Sequence, residues 1–307
     1  MACGARGIPR NSLKNLSRAL RLPFVTASIL PFVFGSLLKQ DNFLFLNFAL
    51  GLAAVVATHL SANLINDYAD SRSGVDWQDR KFYGFFGGSK LIQEKVLPEE
   101  FYLNAAIICF AVAGLSILVL SLILRSQLII SLYLVILSLS WLYSLKPLQF
   151  SYRRWGEIII FLLFGPVPVM GGYFIQSGIF PTWEGFLLSL PFGFLTTAIL
   201  FANEVPDYPQ DEKAGKLTWI SFLGPGRSFL LYYLLIFLSF LFIVLNVALG
   251  YLRVPALLSL IFVFPALKAG RILKAYPQDK ARLVESSRLT ILTHTLAGVA
   301  LILTKLL

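Results

Sequence analysis

Long uncharged runs alternate with short polar interruptions along the whole chain. Nine runs can be delimited: 22–38, 43–66, 101–124, 126–145, 158–183, 185–203, 228–252, 254–267 and 289–304. A helix that crosses a bilayer needs about 20 apolar residues, with about 17 as the usual lower limit. Most of the runs meet that length. Run 254–267 is short and run 289–304 borderline, so these two span only if flanking Lys268, Arg288 and Lys305 stretch their charged tips to the interface. The pattern predicts an all-α polytopic membrane protein with about nine transmembrane helices, or eight as the fallback count, in a single domain over 1–307.

Polar positions set the orientation. With nine spans, segments 1–21, 67–100, 146–157, 204–227 and 268–288 lie on one side and hold 22 of the 26 Lys and Arg. Lys39, Arg125, Arg253 and Lys305 are left for the other side. That asymmetry puts the N-terminus, as a tail over 1–20, and the larger loops in the cytoplasm of a cell membrane. The basic N-terminal stretch reads as the approach to a first spanning helix, because no small-residue cleavage site follows it.

Composition agrees. Hydrophobic residues make up 57% of the 307 positions and charged ones 14%, against about 25% charged in soluble domains. Mean hydropathy is +0.75. The net charge of +10 is a topology signal; the basic residues do not cluster on a soluble domain, so nucleic acid is excluded as a partner. Two cysteines make no disulfide framework. Cys109 falls inside an apolar run and reads as packing, and Cys3 falls in the tail.

Two clusters carry the chemistry. Asn63-Leu64-Ile65-Asn66-Asp67-Tyr68-Ala69-Asp70 closes the second run, and Asn203-Glu204-Val205-Pro206-Asp207-Tyr208-Pro209-Gln210-Asp211 closes the sixth. Four crossings separate them, so both face one mouth on the cytoplasmic side and converge on a central cavity. Asn63, Asp67 and Asp70 share a helix face if the helix continues through them, with Asn66 beside it. Asn203, Asp207 and Asp211 have similar spacing, although Pro206 and Pro209 disturb a regular helix. Carboxylates at a membrane boundary are costly and mark function. An oxygen-only donor set suits Mg²⁺ rather than zinc or copper, and Mg²⁺ is usually shared with substrate phosphates. The clusters therefore point to a diphosphate held between metal ions.

The following loops supply cations for a leaving diphosphate. Lys90 follows the turn-like Gly87-Gly88-Ser89, with Arg72, Arg80 and Lys81 nearby. Lys216 follows Gly215, and Lys146 abuts a membrane run three residues after Tyr143. Most Lys and Arg in such loops are topology charges; Lys90 and Lys146 stand out by position. His59 lies one turn before Asn63 and reads either as a cavity residue or as a core histidine, and His294 reads as packing. Gly165-Pro166-Val167-Pro168 and Gly171-Gly172 break the fifth run, as residues do that line a cavity or let helices pack closely.

On these residues the chain resembles the UbiA superfamily of intramembrane prenyltransferases, and within it the 1,4-dihydroxy-2-naphthoate enzymes of menaquinone biosynthesis. The resemblance rests on NLINDYADSRSGVD (63–76), GGSKLI (87–92) and RRWGEIIIFLLFGPVPVMGGYFIQSG (153–178), and on the absence of an Arg-Pro-rich segment after the first motif. It implies Mg²⁺-dependent transfer of a polyprenyl group from its diphosphate to a small aromatic acceptor, with loss of the ring carboxylate in the naphthoate branch. It assigns one metal to Asn63, Asn66, Asp67 and Asp70 and another to Asn203, Asp207 and Asp211. Lys90 would contact diphosphate, and Tyr143 and Lys146 match a Tyr-x-x-Lys-like stretch near acceptor and diphosphate. The second motif departs from the Asn-Asn-x-Arg-Asp usual in naphthoate enzymes, with Glu204 and Pro206 in place of the second Asn and the Arg. Lys90 stands where Arg is common and lacks its bidentate fork. Another acceptor, such as 4-hydroxybenzoate or homogentisate, is therefore the competing reading. A cation-coupled secondary transporter would also use intramembrane acids and broken helices, but here the acids stand at the ends of runs, against loops rich in glycine and cations.

Overall fold

A computed structural model describes residues 12–39 and 42–306. The first helix, α1, covers Ser12–Ala19, where a tail was expected; residues 1–11, with Cys3, lie outside the described region. There follow α2 Thr26–Ser36, α3 Phe45–Ser73, α4 Glu99–Leu124, α5 Gln127–Leu142, α6 Gly156–Phe164 and α7 Pro166–Ser177. The last five are α8 Trp183–Lys213, α9 Trp219–Leu223, α10 Ser228–Ala248, α11 Val263–Ala275 and α12 Lys280–Leu306.

Every apolar run falls on helix, but the expected count of nine spans is not reproduced. Among the described residues, seven helices are long and apolar enough to cross a membrane, or eight if the pair Leu13–Ala19 and Leu22–Ser36, bent by 51°, is one span. The run at 126–145 gives only the 16 residues of α5, about 24 Å of helix against a hydrocarbon core of about 30 Å. The two short runs gain length from their flanks. Residues Val254–Phe262 form 3₁₀ turns that lead into α11, and α12 begins nine residues before its apolar run.

Both cluster-bearing helices continue past their apolar runs, so the loops expected at 67–100 and 204–227 begin later, after Ser73 and Lys213. Pro191, Pro206 and Pro209 all lie inside α8 without ending it. The expected disturbance is absent; Pro191 and Pro206 are buried, and α8 packs against α6, α7, α10 and α12. It is the most buried of the candidate spans. Tertiary packing of this kind overrides local propensity.

Small residues set how closely helices approach. The Gly35 Cα on α2 faces the Val169 backbone of α7, leaving no room for a Cβ. Gly165, at the break between α6 and α7, would place a Cβ 2.6 Å from the Gly193 Cα of α8. The broken run therefore packs closely and also lines the cavity described below. At the periphery, α4 turns Ile108, Leu115 and Leu122 outward, as a lipid-facing helix does.

Candidate active site

Between α2, α3, α5, α6, α7 and α8 lies a cavity of about 560 Å³. It is long. Gly51 and Asp70 both line it, and their separation of 19 positions on α3 corresponds to about 28 Å of helix rise. One end is apolar, with Phe32, Val55, Phe174 and Phe180. The other carries Asn63, Asn66, Asp70, Asn203, Glu204, Asp207 and Asp211.

The two clusters meet there through a loop. The Gly87 backbone N–H donates to Asp207 Oδ2 at 2.9 Å and the Ser89 N–H to Asp67 Oδ2 at 3.2 Å. Gly87, Gly88 and Lys90 all have positive φ, between 60° and 77°. A Cβ on Gly88 would lie 2.8 Å from Asp76 Oδ2 and 3.3 Å from Asp67 Oδ1, so only glycine lets this backbone approach the carboxylates.

Four cations and a tyrosine, from five separate segments, close the site. Arg21 pairs with Asp67 and reaches Asn66 Oδ1 at 3.3 Å. Lys90, 3% exposed, donates to Asp76 Oδ1 at 2.8 Å. Lys216 Nζ lies 3.5 Å from Asp211 and 4.0 Å from Asp70. Tyr152 donates to Asp70 Oδ1 at 2.9 Å, and Lys280, at the start of α12, donates to Asp79 at 2.7 Å. All five segments that loop charge assigned to one side thus meet at one end of the bundle. A backbone bridge between Arg153 and Leu217 ties the loop after α5 to the loop after α8 and so seats Tyr152 and Lys216.

Electrostatics follow from this crowding. Burial, with the charge of Asp70, pushes the Asp76 carboxyl up to about 7 despite Lys90. Burial pulls the Lys216 ammonium down, but Asp211 and Asp70 outweigh it and hold it well above the usual lysine range. Burial and Asp70 push the Tyr152 phenol up. Asp67, Asp70, Asp76, Asp207 and Asp211 crowd together, and the cations that pair with them directly are Arg21, Lys90 and Lys216. When all are ionised, the surplus is negative and its donors are all oxygen, which suits a divalent hard cation. Asn203 adds a buried Oδ1 with no partner. Among the described residues no three His, Cys, Asp or Glu converge tightly enough to chelate an ion alone, so substrate oxygens or water would have to complete the coordination.

Most of the expected site residues come together, and two do not. Lys146 is exposed and does not line the cavity; the chain turns away after Tyr143, which does line it. Arg80 is also exposed and stacks over Trp77 at 5.4 Å. His59 lines the cavity and its Nδ1 meets Ser28 Oγ at 2.7 Å. His294 is fully buried, edge-on to Phe192. The sequence reading missed Arg21, Asp76, Tyr152 and Lys280. Asp76 closes the very stretch quoted for the first motif and Arg21 is the last cation before the first run, so both had a signal. Lys280 and Tyr152 had none, because only the fold brings them in.

Comparison with known proteins agrees with this geometry. The UbiA prenyltransferase family pattern matches residues 28–292. UbiA prenyltransferase domain-containing protein 1 of Gallus gallus is 30% identical over 285 residues, covering 86% of this chain and 79% of that protein. The 1,4-dihydroxy-2-naphthoate octaprenyltransferase of Mycobacterium tuberculosis is 32% identical over 183 residues, a match spanning 60% of each chain. The apo structure of a UbiA homolog from Aeropyrum pernix K1 superposes with a TM-score of 0.72 at 16% identity, covering 91% of this chain and 97% of that one. A UbiA homolog from Archaeoglobus fulgidus bound to GPP and Mg²⁺ gives 0.59, also at 16% identity, covering 94% and 99%. Membership over this length sets the transporter reading aside. A helical bundle with one long cavity, two oxygen-rich clusters joined at its end and a sequence match across most of its length make this chain a member of the UbiA prenyltransferase family.

Proposed function

We propose that this protein transfers a polyprenyl group from polyprenyl diphosphate to a small aromatic acceptor in a Mg²⁺-dependent reaction at the cytoplasmic face of a cell membrane. The observation that carries this is the loop at Gly87 to Lys90, which joins Asp67 and Asp207 at the charged end of a long apolar cavity. A homologue from Archaeoglobus fulgidus binds GPP and Mg²⁺, and the oxygen donors here suit the same pair. The orientation rests on the concentration of Lys and Arg in the segments around the site.

Asn63, Asn66, Asp67 and Asp70 would hold one metal and Asn203, Asp207 and Asp211 the other. Bound Mg²⁺ neutralises charge on the diphosphate and so makes it a better leaving group. Arg21, Lys90 and Lys216 stand where that charge collects, and buried cations of fixed position stabilise it without reorganising. The C–O bond breaks with its electron pair going to the diphosphate. The allylic cation left behind faces aromatic rings such as Phe164 and Tyr143, whose π-faces attract positive charge. Exclusion of water by the apolar wall protects it until the acceptor ring attacks.

For the acceptor we propose 1,4-dihydroxy-2-naphthoate, prenylated with loss of its carboxylate on the way to menaquinone. The motif resemblance and the mycobacterial relative support it. Glu204 and Pro206 favour the competing reading, in which another phenolic acceptor is used. Purified protein with Mg²⁺ and a polyprenyl diphosphate, offered 1,4-dihydroxy-2-naphthoate, 4-hydroxybenzoate and homogentisate in parallel, separates the readings by product mass. A decarboxylated prenyl-naphthoquinol is the expected product. Product from another acceptor alone would overturn the substrate, and no product from folded protein with any of them would overturn the reaction.

A further inference from the structure

The apolar end of the cavity is closed by two layers. Phe32, Ile129, Phe174 and Ile175 line it there and pack as one buried apolar cluster. Gly51 on α3 makes this floor possible. A Cβ on it would lie 2.5 Å from Ile175 Cδ1 and 2.7 Å from Phe32 Cζ, so both side chains rest against bare helix backbone. Phe32 is in turn stacked on Phe48 at 5.7 Å.

Behind the floor lies a polar clasp. Asn47, 3% exposed, donates to the Ile175 carbonyl at 2.8 Å. Gln176, 2% exposed, accepts from the Leu44 N–H at 2.8 Å and donates to the Leu44 carbonyl at 3.2 Å. These bonds pin the end of α7 to the start of α3. Buried amides paired in this way are costly to separate where no water replaces the partner, so the floor is held in place.

A fixed floor fixes a length. Asn63 is the residue of the first cluster nearest the apolar end, and Gly51 stands twelve positions before it on α3, which is about 18 Å of helix rise. An isoprene unit has four C–C bonds of about 1.5 Å along its chain, and in extended form these advance about 5 Å. We infer that Phe32, Gly51 and Ile175 act as a ruler for the prenyl chain, holding about four extended isoprene units and rejecting a fifth. This rests on the prenyl-transfer reading above and narrows its donor to a diphosphate of geranylgeranyl size. Overfilling a closed apolar site is unfavourable because packed side chains must leave their rotamers.

The test is binding to the purified full chain in detergent with Mg²⁺, read by isothermal titration calorimetry. The probes are unreactive thiolodiphosphates carrying geranyl, farnesyl, geranylgeranyl, farnesylgeranyl and octaprenyl chains. The wild type is expected to bind the geranylgeranyl probe about tenfold more tightly than the farnesylgeranyl one, the lower end of what overfilling a packed core costs. Phe32→Ala opens the floor and moves the optimum up by about one unit, and Phe32→Leu does so less. Gly51→Ala presses Phe32 and Ile175 into the cavity and moves the optimum down. Ratios of variant to wild type cancel the partition of longer chains into detergent, and unchanged affinity for the geranyl probe reports an intact charged end. A wild type that binds the octaprenyl probe as tightly as the geranylgeranyl one overturns the ruler; the tail then leaves sideways past Val135, which lines the cavity and is 58% exposed. So does a length profile in the Phe32 and Gly51 variants that matches the wild type. Turnover with an aromatic acceptor is measured separately. A length optimum without turnover removes the proposed reaction and keeps the ruler; turnover without an optimum removes the ruler alone.

Discussion

Asp70 of α3 and Asp211 of α8 share one ammonium, because Lys216 Nζ lies 4.0 Å from the first and 3.5 Å from the second. Removing it leaves two buried carboxylates facing each other without a cation. Lys216→Met is expected to lower kcat about 100-fold, as loss of one preorganised charge does at other sites. Asp70→Asn and Asp211→Asn should cost at least as much and also raise the Mg²⁺ concentration for half-maximal rate. Steady-state rates across a Mg²⁺ titration check this, and an Mg²⁺ requirement unchanged in both Asp variants would count against metal binding there.

Lys90 and the pair Lys146 and Arg80 make a contrast that sequence position alone does not. Lys90 and Asp76 are both nearly inaccessible and bonded at 2.8 Å, and breaking a buried pair by removing one partner costs about 3 kcal/mol or more. Lys90→Met is expected to lower both activity and Tm. Lys146→Ala and Arg80→Ala, being exposed, should stay within about threefold of wild type, in keeping with the small effect of surface charges. Parallel thermal melts and rates of the three variants decide it.

Gly88→Ala tests the close approach of the loop. Its φ of 77° disfavours any Cβ, and a Cβ would meet Asp76 Oδ2 at 2.8 Å. We expect a loss of about 1–2 kcal/mol from the left-handed conformation alone, with a larger loss of activity because the Gly87 and Ser89 amides shift. Gly226→Ala, with open space around it and no positive φ, is the control and should change neither.

Asp76 makes the metal-free protein sensitive to pH. Its carboxyl is raised from 3.8 to about 7 in the folded state. A raised pKa means that its contribution to stability is full below about 3.8 and is lost as pH rises through about 7. Melts in EDTA should therefore show Tm falling between pH 5 and pH 8, with a smaller fall in Asp76→Asn. A Tm difference the same in both proteins would contradict the assignment to Asp76.

The helices and both clusters were legible in the sequence because membrane crossing imposes a length and charge pattern that survives without tertiary information. The count of nine is not confirmed at α5, where run 126–145 contains an adequate apolar stretch but the helix stops at Leu142. Site residues on the cluster helices could be found from i, i+4 spacing. Lys146 and Arg80 could not be rejected that way, because neither spacing nor charge encodes which way a loop turns. Pro206 and Pro209 misled for a related reason. Their local cost is real, but α8 continues through both.

The amide bridge from Gly87 and Ser89 has a consequence for how this site can vary among descendants. One loop presents two donors at fixed separation to carboxylates on helices that are 140 positions apart in the chain. Inserting or deleting one residue between Gly84 and Lys90 puts at least one donor out of register. Loop length there is expected to be frozen across relatives with this chemistry.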